Sequence, residues 1–261
     1  MYIELIKKSF LQQFTYRANA LLTLFHSCVS LFISANVWKV LYSYQYEVSG
    51  IYMYEMLTYI LIGQLLKIIV RLPISTYIGN RITLGNISID LIRPINLKWA
   101  AMSTCVGKML FSLSTTGLPM IIIATARWEI ATPTTLFQWL AFFSSVILSV
   151  LLYTTLEYIM GLTTFWTKTT FHLQWIINSF FTLFSGSIIP LWFYPNSIQK
   201  IASYLPFRFF IFEPINIFLG KASHQEALFI NLGQITWLMI LLIIEQLVWN
   251  SVQKSITIQG G

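Results

Sequence analysis

Leu136-Phe-Gln-Trp-Leu-Ala-Phe-Phe-Ser-Ser-Val-Ile-Leu-Ser-Val-Leu-Leu-Tyr-Thr-Thr-Leu-Glu-Tyr-Ile-Met160 carries one charge, Glu157, in an otherwise apolar or hydroxyl-bearing run. The hydrocarbon core of a bilayer is about 30 Å thick and takes roughly 20 apolar residues of helix to cross. This stretch meets that length with several residues to spare. Five more segments do the same: Leu21–Tyr42, Met53–Ile74, Ala100–Thr125, His172–Leu191 and Phe229–Trp249. The second admits Lys67 and Arg71 to its last turns. They lie one helical turn apart on one face, so both can snorkel toward the interface.

Composition agrees. Of 261 residues, 56% are hydrophobic and only 10% charged, with a mean hydropathy of +0.70. A soluble domain carries about 25% charged residues, so the solvent of this surface is lipid. The net charge of +7 does not point to nucleic acid. The basic residues fall between apolar runs, as the positive-inside rule requires, and form no stripe interleaved with aromatics. Cys28 and Cys105 each sit inside an apolar run and read as small buried hydrophobes, not a disulfide framework. Ala18-Asn19-Ala20 resembles a cleavage triplet but precedes the first apolar run, so the first span is expected to stay in the mature chain.

Loop charges set the expected orientation. Lys7, Lys8, Arg17, Arg81, Arg93, Lys98, Lys168 and Lys254 fall on one side. Glu47, Glu55, Glu129, Glu213 and Glu226 fall on the other, with Arg127, Lys200, Arg208 and Lys221. The basic excess marks the cytoplasm, and an even number of spans places both termini there, in a plasma membrane.

Three segments outside the spans carry further information. Residues 1–20 interleave Ile3, Leu5, Ile6, Phe10, Leu11 and Phe14 with polar residues, the pattern of an interfacial amphipathic helix. Between the second and third spans, Ile78, Ile82, Gly85, Ile89 and Ile92 make a helical stripe that ends at Pro94. Such a helix either lies in the interface or offers a grip to a soluble partner. Residues 192–228 are too apolar for a solvated loop, yet Pro206 and Pro214 break them too often for a straight span. Irregular backbone at membrane depth must be satisfied by protein or by a water-filled cavity, so short packed or re-entrant helices are expected there.

Enzymatic constellations are missing from the sequence. Gly107-Lys108 and Gly220-Lys221 lack the glycine and the Ser/Thr of a P-loop. His26, His172 and His224 have no metal-ligand spacing, and Asp90 stands alone. Glu157 and Glu245 lie within spans, where a carboxylate costs about 2.5–3.5 kcal/mol or more unless it faces protein or water. Both are candidates for a polar pathway, the alternative being snorkelling to the headgroups. Lys108 could pair with either.

Ile82-Thr-Leu-Gly85-Asn-Ile-Ser-Ile-Asp90-Leu-Ile-Arg93-Pro94-Ile95 resembles a segment of the type-two ABC exporter permeases, of the bacterial six-span branch associated with daunorubicin- and viologen-type export. Gly161-Leu, Phe165-Trp166, Ser185-Gly186, Pro190-Leu191, Tyr194-Pro195, Leu205-Pro206-Phe207, Pro214 and Gly220 are similar too, so the likeness spans nearly the whole chain. It implies one all-α permease domain over 1–261, with six transmembrane helices, an N-terminal interfacial helix, a cytoplasmic coupling helix and outer re-entrant helices. The coupling helix would offer Arg81, Ile82, Leu84, Gly85, Ile89, Asp90, Leu91 and Arg93 to an ABC ATPase subunit, which binds ATP and Mg. The outer gate would hold Pro190, Tyr194, Pro195, Pro206, Phe207, Arg208 and Pro214. Arg208 departs from the pattern, which has a small or apolar residue there. A second permease, the same or a sister chain, would complete an exporter of a hydrophobic or amphipathic substrate. The rival reading is a secondary transporter or channel using Glu157 or Glu245; an intramembrane enzyme would need paired ionisable groups at one depth.

Overall fold

The computed structural model describes residues 1–87, 89, 96–169 and 171–255, the last by its backbone only. Asp90, Leu91 and Arg93 therefore lie outside the described residues, as do Ile92 and Pro94.

Among the described residues the fold is all-α apart from one hairpin. α1 (Tyr2–Gln13) continues through a short 3-10 turn into α2 (Arg17–Tyr42). Strands β1 (Glu47–Val48) and β2 (Ile51–Tyr52) then form a hairpin. Ser49 and Gly50 both have positive φ, 53° and 79°, as the two-residue turn that matches strand twist requires. α3 (Met53–Val70), α4 (Ile74–Thr83), α5 (Leu97–Ser112), α6 (Leu118–Arg127), α7 (Leu136–Thr167), α8 (Phe171–Phe184), α9 (Asn196–Ser203), α10 (Phe212–Phe218) and α11 (His224–Ser255) follow.

Local chemistry explains the interruptions. Pro73 ends α3, because the residue before a proline avoids the helical region. Arg71 and Pro73 each centre a tight turn (ψ 68° and 62°), closed by Leu72 N donating to Val70 O at 2.9 Å and Ile74 N to Leu72 O at 2.8 Å. The chain therefore kinks sharply between α3 and α4. Between α5 and α6, residues 113–117 widen into a π turn just before Pro119. Proline has no N–H and its ring crowds the preceding turn. The hydroxyls of Ser114 and Thr115 take up the Phe111 carbonyl, at 2.8 and 2.9 Å.

Among the described residues five rods are long and apolar enough to cross a membrane: Tyr2–Tyr42, Met53–Thr83, Leu97–Arg127, Leu136–Thr167 and His224–Lys254. Each contains one of the expected spans. The remaining expected span, His172–Leu191, is only the 14-residue α8, about 21 Å at 1.5 Å per residue. It stops at Ser185, and Gly186 turns away with φ +73°. Tyr59 Oη donates to the Gly186 carbonyl at 2.7 Å, and Phe212 N to Ser185 O at 3.0 Å. The rest of that segment belongs to a cap at the hairpin end.

α7 is the axis of the bundle, packed against α11, α4, α10 and α3. The cap that follows α8 is built from short turns together with α9 and α10. Its Phe210, Ile211 and Ile215 are fully buried, which is why residues 192–219 are so apolar. At the other end, α1 lies on α5. Ser9 Oγ donates to Thr104 O at 2.7 Å, and a Cβ on Gly107 would sit 2.8 Å from Ser9 Cβ. Phe10 and Phe14 pack edge-on against Phe111. The amphipathic pattern of residues 1–20 is thus a helix with a protein-facing stripe.

Candidate functional site

Polar side chains at membrane depth converge where α2, α3, α7 and α8 meet. A cavity of about 440 Å3 there is lined by Ser27, Gln64, Lys67, Arg71, Glu157 and Asn178, among others. A second, of about 240 Å3, shares Ser27, Lys67 and Arg71 and adds Lys108 and Thr116 from the α5–α6 rod. A third, of about 260 Å3, shares Gln64 and Lys67 and passes Ser30 and Ser34 toward Ser187. Lys67 borders all three. The result is a polar cleft on the flank of the bundle, with three cations on its walls and one carboxylate.

That carboxylate is not free to serve the cleft. Glu157, on α7, accepts a hydrogen bond from Ser75 N at 2.9 Å and another from Ser75 Oγ, and Tyr153 binds it as well. Ser75 opens α4, so Glu157 caps the positive end of that helix from outside. Gln174 of α8 donates to Ser75 Oγ at 2.7 Å and to Thr76 Oγ1 at 2.8 Å. Arg71 donates to Asn178 Oδ1 at 2.5 Å and to Tyr153 Oη at 3.4 Å, and its guanidinium lies 4.8 Å from the Phe181 ring centre. One network thus joins the α3–α4 elbow, the central helix α7 and the short helix α8. α4 also touches α7 through Gly161, where an added Cβ would stand 3.0 Å from Ile78 Cδ1.

The structure separates the two expected pathway acids. Glu157 lines the cleft, whereas Glu245 of α11 pairs with Lys98. Lys98 also donates to Thr155 Oγ1 at 3.2 Å. This pair borders a different cavity, of about 320 Å3, with Tyr158 and Trp249. Lys98, not Lys108, is therefore the partner of Glu245, and Lys108 lines the cleft. Lys67 and Arg71, read in sequence as snorkelling cations, are cleft residues too. Their signal was present: Gln64, Lys67 and Arg71 recur at helical spacing on one face of an apolar run.

The expected coupling segment is not one continuous helix. α4 ends at Thr83, and Gly85, with φ +72°, provides the left-handed cap that stops it. Ile78, the first member of the isoleucine stripe, is wholly buried against α7. Arg81 and Ile82 are half-buried on the last turn of α4, while Leu84, Gly85 and Ile89 are exposed.

At the hairpin end, Pro190, Pro206, Phe207 and Pro214 are buried, Tyr194 is half-buried and Pro195 exposed. Burial raises the Tyr194 phenol above its ordinary pKa. Arg208, the departure from the family pattern, forms an ion pair with Glu213, a carboxylate with 1% of its surface exposed. A buried carboxylate demands a cation beside it, and Arg208 supplies that cation. Lys221 binds Glu55 at 2.8 Å and the Gly50 carbonyl at 3.0 Å, tying the hairpin to the cap. Among the described residues no group of His, Cys, Asp or Glu could hold a metal ion.

Long apolar rods around a polar flank cleft are the architecture of a multi-pass membrane protein. A family model described as "ABC-2 family transporter protein" matches residues 28–260. The chain belongs to the ABC-2 transporter family. No curated protein matches it in sequence.

Proposed function

We propose that this chain is the permease subunit of an ATP-driven exporter, worked by a separate ABC ATPase that binds ATP and Mg. In this reading both termini and the segment 81–93 face the cytoplasm, and the membrane is the plasma membrane. A second permease, identical or a sister, closes over the cleft. The outer cap, with Pro190, Tyr194, Pro195, Pro206, Phe207, Arg208 and Pro214, forms the exit gate.

One observation carries the reading: the cleft and the elbow share residues. Arg71, Pro73 and Thr76 line the cleft, and they stand at the start of α4, the ten-residue helix that leads to the exposed Leu84-Gly85 turn. A force applied by the ATPase at 81–93 reaches the cleft within one short rigid element. Through Ser75–Glu157 and Ile78–Gly161 it also reaches α7. Two states of the cleft then differ in the position of α4, and ATP biases them because docked ATPases hold α4 differently when closed.

Export is tested at Ile89, which is 51% exposed. Ile89→Asp is expected to abolish co-purification of the ATPase in mild detergent while the chain still inserts in the membrane. Co-purification unchanged from wild type would remove the docking assignment.

A further inference from the structure

The cations of the cleft outnumber what the protein supplies to balance them. Lys67 and Arg71 sit one turn apart, a spacing at which like charges repel. Lys108 faces the same space from α5. Among the described residues Lys67 has no hydrogen-bond or ion-pair partner, and Lys108 has none either. The one acid on these walls, Glu157, is committed to Ser75 and Tyr153. Arg71 is held by Asn178, Tyr153 and the face of Phe181. Two lysine ammonium groups therefore remain with donors unspent, Lys67 half-buried and Lys108 exposed. Like charges crowded along one cleft repel, and a bound counter-anion relieves that repulsion.

The walls also indicate the rest of the ligand. Ile68 borders both cavities, with Met120 in one and Met109 in the other. An ion with no apolar part would leave the half-buried Ile68 and Met109 in water. We infer that the cleft binds a phosphate-bearing amphiphile, its phosphate between Lys67 and Lys108 and its apolar chain against the adjoining helices. Lysine suits this role as a compact point charge with three donors, whereas a fork such as Arg71 is already occupied. The inference rests on the cleft being the permease pathway and names the class of molecule that enters it.

The test uses the full chain purified in mild detergent, with binding followed by native mass spectrometry. The probes are dioleoylphosphatidylglycerol, dioleoylphosphatidylcholine, dodecyl phosphate and inorganic phosphate. A preference of about tenfold for the two anionic amphiphiles over phosphatidylcholine and inorganic phosphate is expected. Lys67→Gln should remove it, Lys67→Arg should keep it, and Lys7→Gln, on the basic face of α1, should leave it unchanged. Dodecyl phosphate displacing phosphatidylglycerol would mark the site as one for a transported single-chain amphiphile. Phosphatidylglycerol that resists displacement would mark a resident lipid; either result supports the site. Equal binding of phosphatidylcholine, binding of inorganic phosphate alone, or a preference that follows Lys7 instead of Lys67 would overturn it. If Lys67→Gln fails to fold, wild type still decides: raising the ionic strength must weaken the preference, and a preference unmoved by salt refutes it. Loss of this preference with ATPase co-purification intact would sink the ligand assignment and leave the exporter reading standing.

Discussion

Glu157 has a carboxylate inside an apolar rod, yet its partners are a backbone N–H, a hydroxyl and a phenol at the mouth of α4. Both Glu157 and Ser75 are buried, at 5% and 0% exposure. Glu157→Ala therefore strands the Ser75 N–H and hydroxyl away from water, at a cost of about 1–3 kcal/mol. A lower unfolding temperature in detergent is the expected readout, with Glu157→Gln, which keeps an acceptor, falling less. An alanine variant as stable as wild type would show that Glu157 does not cap α4. Arg208 teaches the same lesson at the other end of the bundle: a cation in an apolar cap is explained by the buried Glu213 five residues on.

At the scale of elements, glycines decide which helices touch. Gly107 lets α1 lie on α5 so closely that any Cβ would collide with the α1 backbone. Gly107→Leu is expected to lift α1 from α5, with an overpacking cost of about 1–3 kcal/mol. Hydrogen exchange over residues 2–13 would then rise while that of α7 stays slow; unchanged protection of α1 would contradict the contact. The long rods and their order were legible because twenty apolar residues in a row have few other solutions. The end of α8 was less so: the apolar run continues to Leu191, and only tertiary contacts from Tyr59 and Phe212 turn the chain at Gly186. The isoleucine stripe misled in the same way. Its period is helical, but Gly85 stops the helix, and Ile78 belongs to the α4–α7 contact instead of a docking surface. Of the two acids, Glu157 was placed at the cleft. Glu245 was not recognisable as the partner of Lys98, because 147 residues separate them in sequence.

For the whole molecule, the charged loops fall at two ends of the bundle, as their sequence distribution implies. Of the described residues, Lys7, Lys8, Arg17, Arg81, Lys98, Lys168 and Lys254 lie at the end opposite the hairpin, and Glu55–Lys221 and Arg208–Glu213 lie with the hairpin and cap. Between these ends, most of the outer surface of α2 and α11 is apolar and exposed, as lipid or a second permease demands. The cleft interrupts that surface with lysine, arginine, glutamine and serine, which hydrocarbon does not tolerate. The account therefore stands on water reaching the cleft between apolar rods. Asn178, exposed on α8, and Leu232, 55% exposed on α11, provide the comparison. Each is replaced by cysteine in a chain whose Cys28 and Cys105 have been changed to alanine. Because only the hydrated thiolate reacts, a membrane-impermeant maleimide should label Asn178→Cys at least about tenfold faster than Leu232→Cys in native membranes. Equal, slow labelling at both positions would contradict the account.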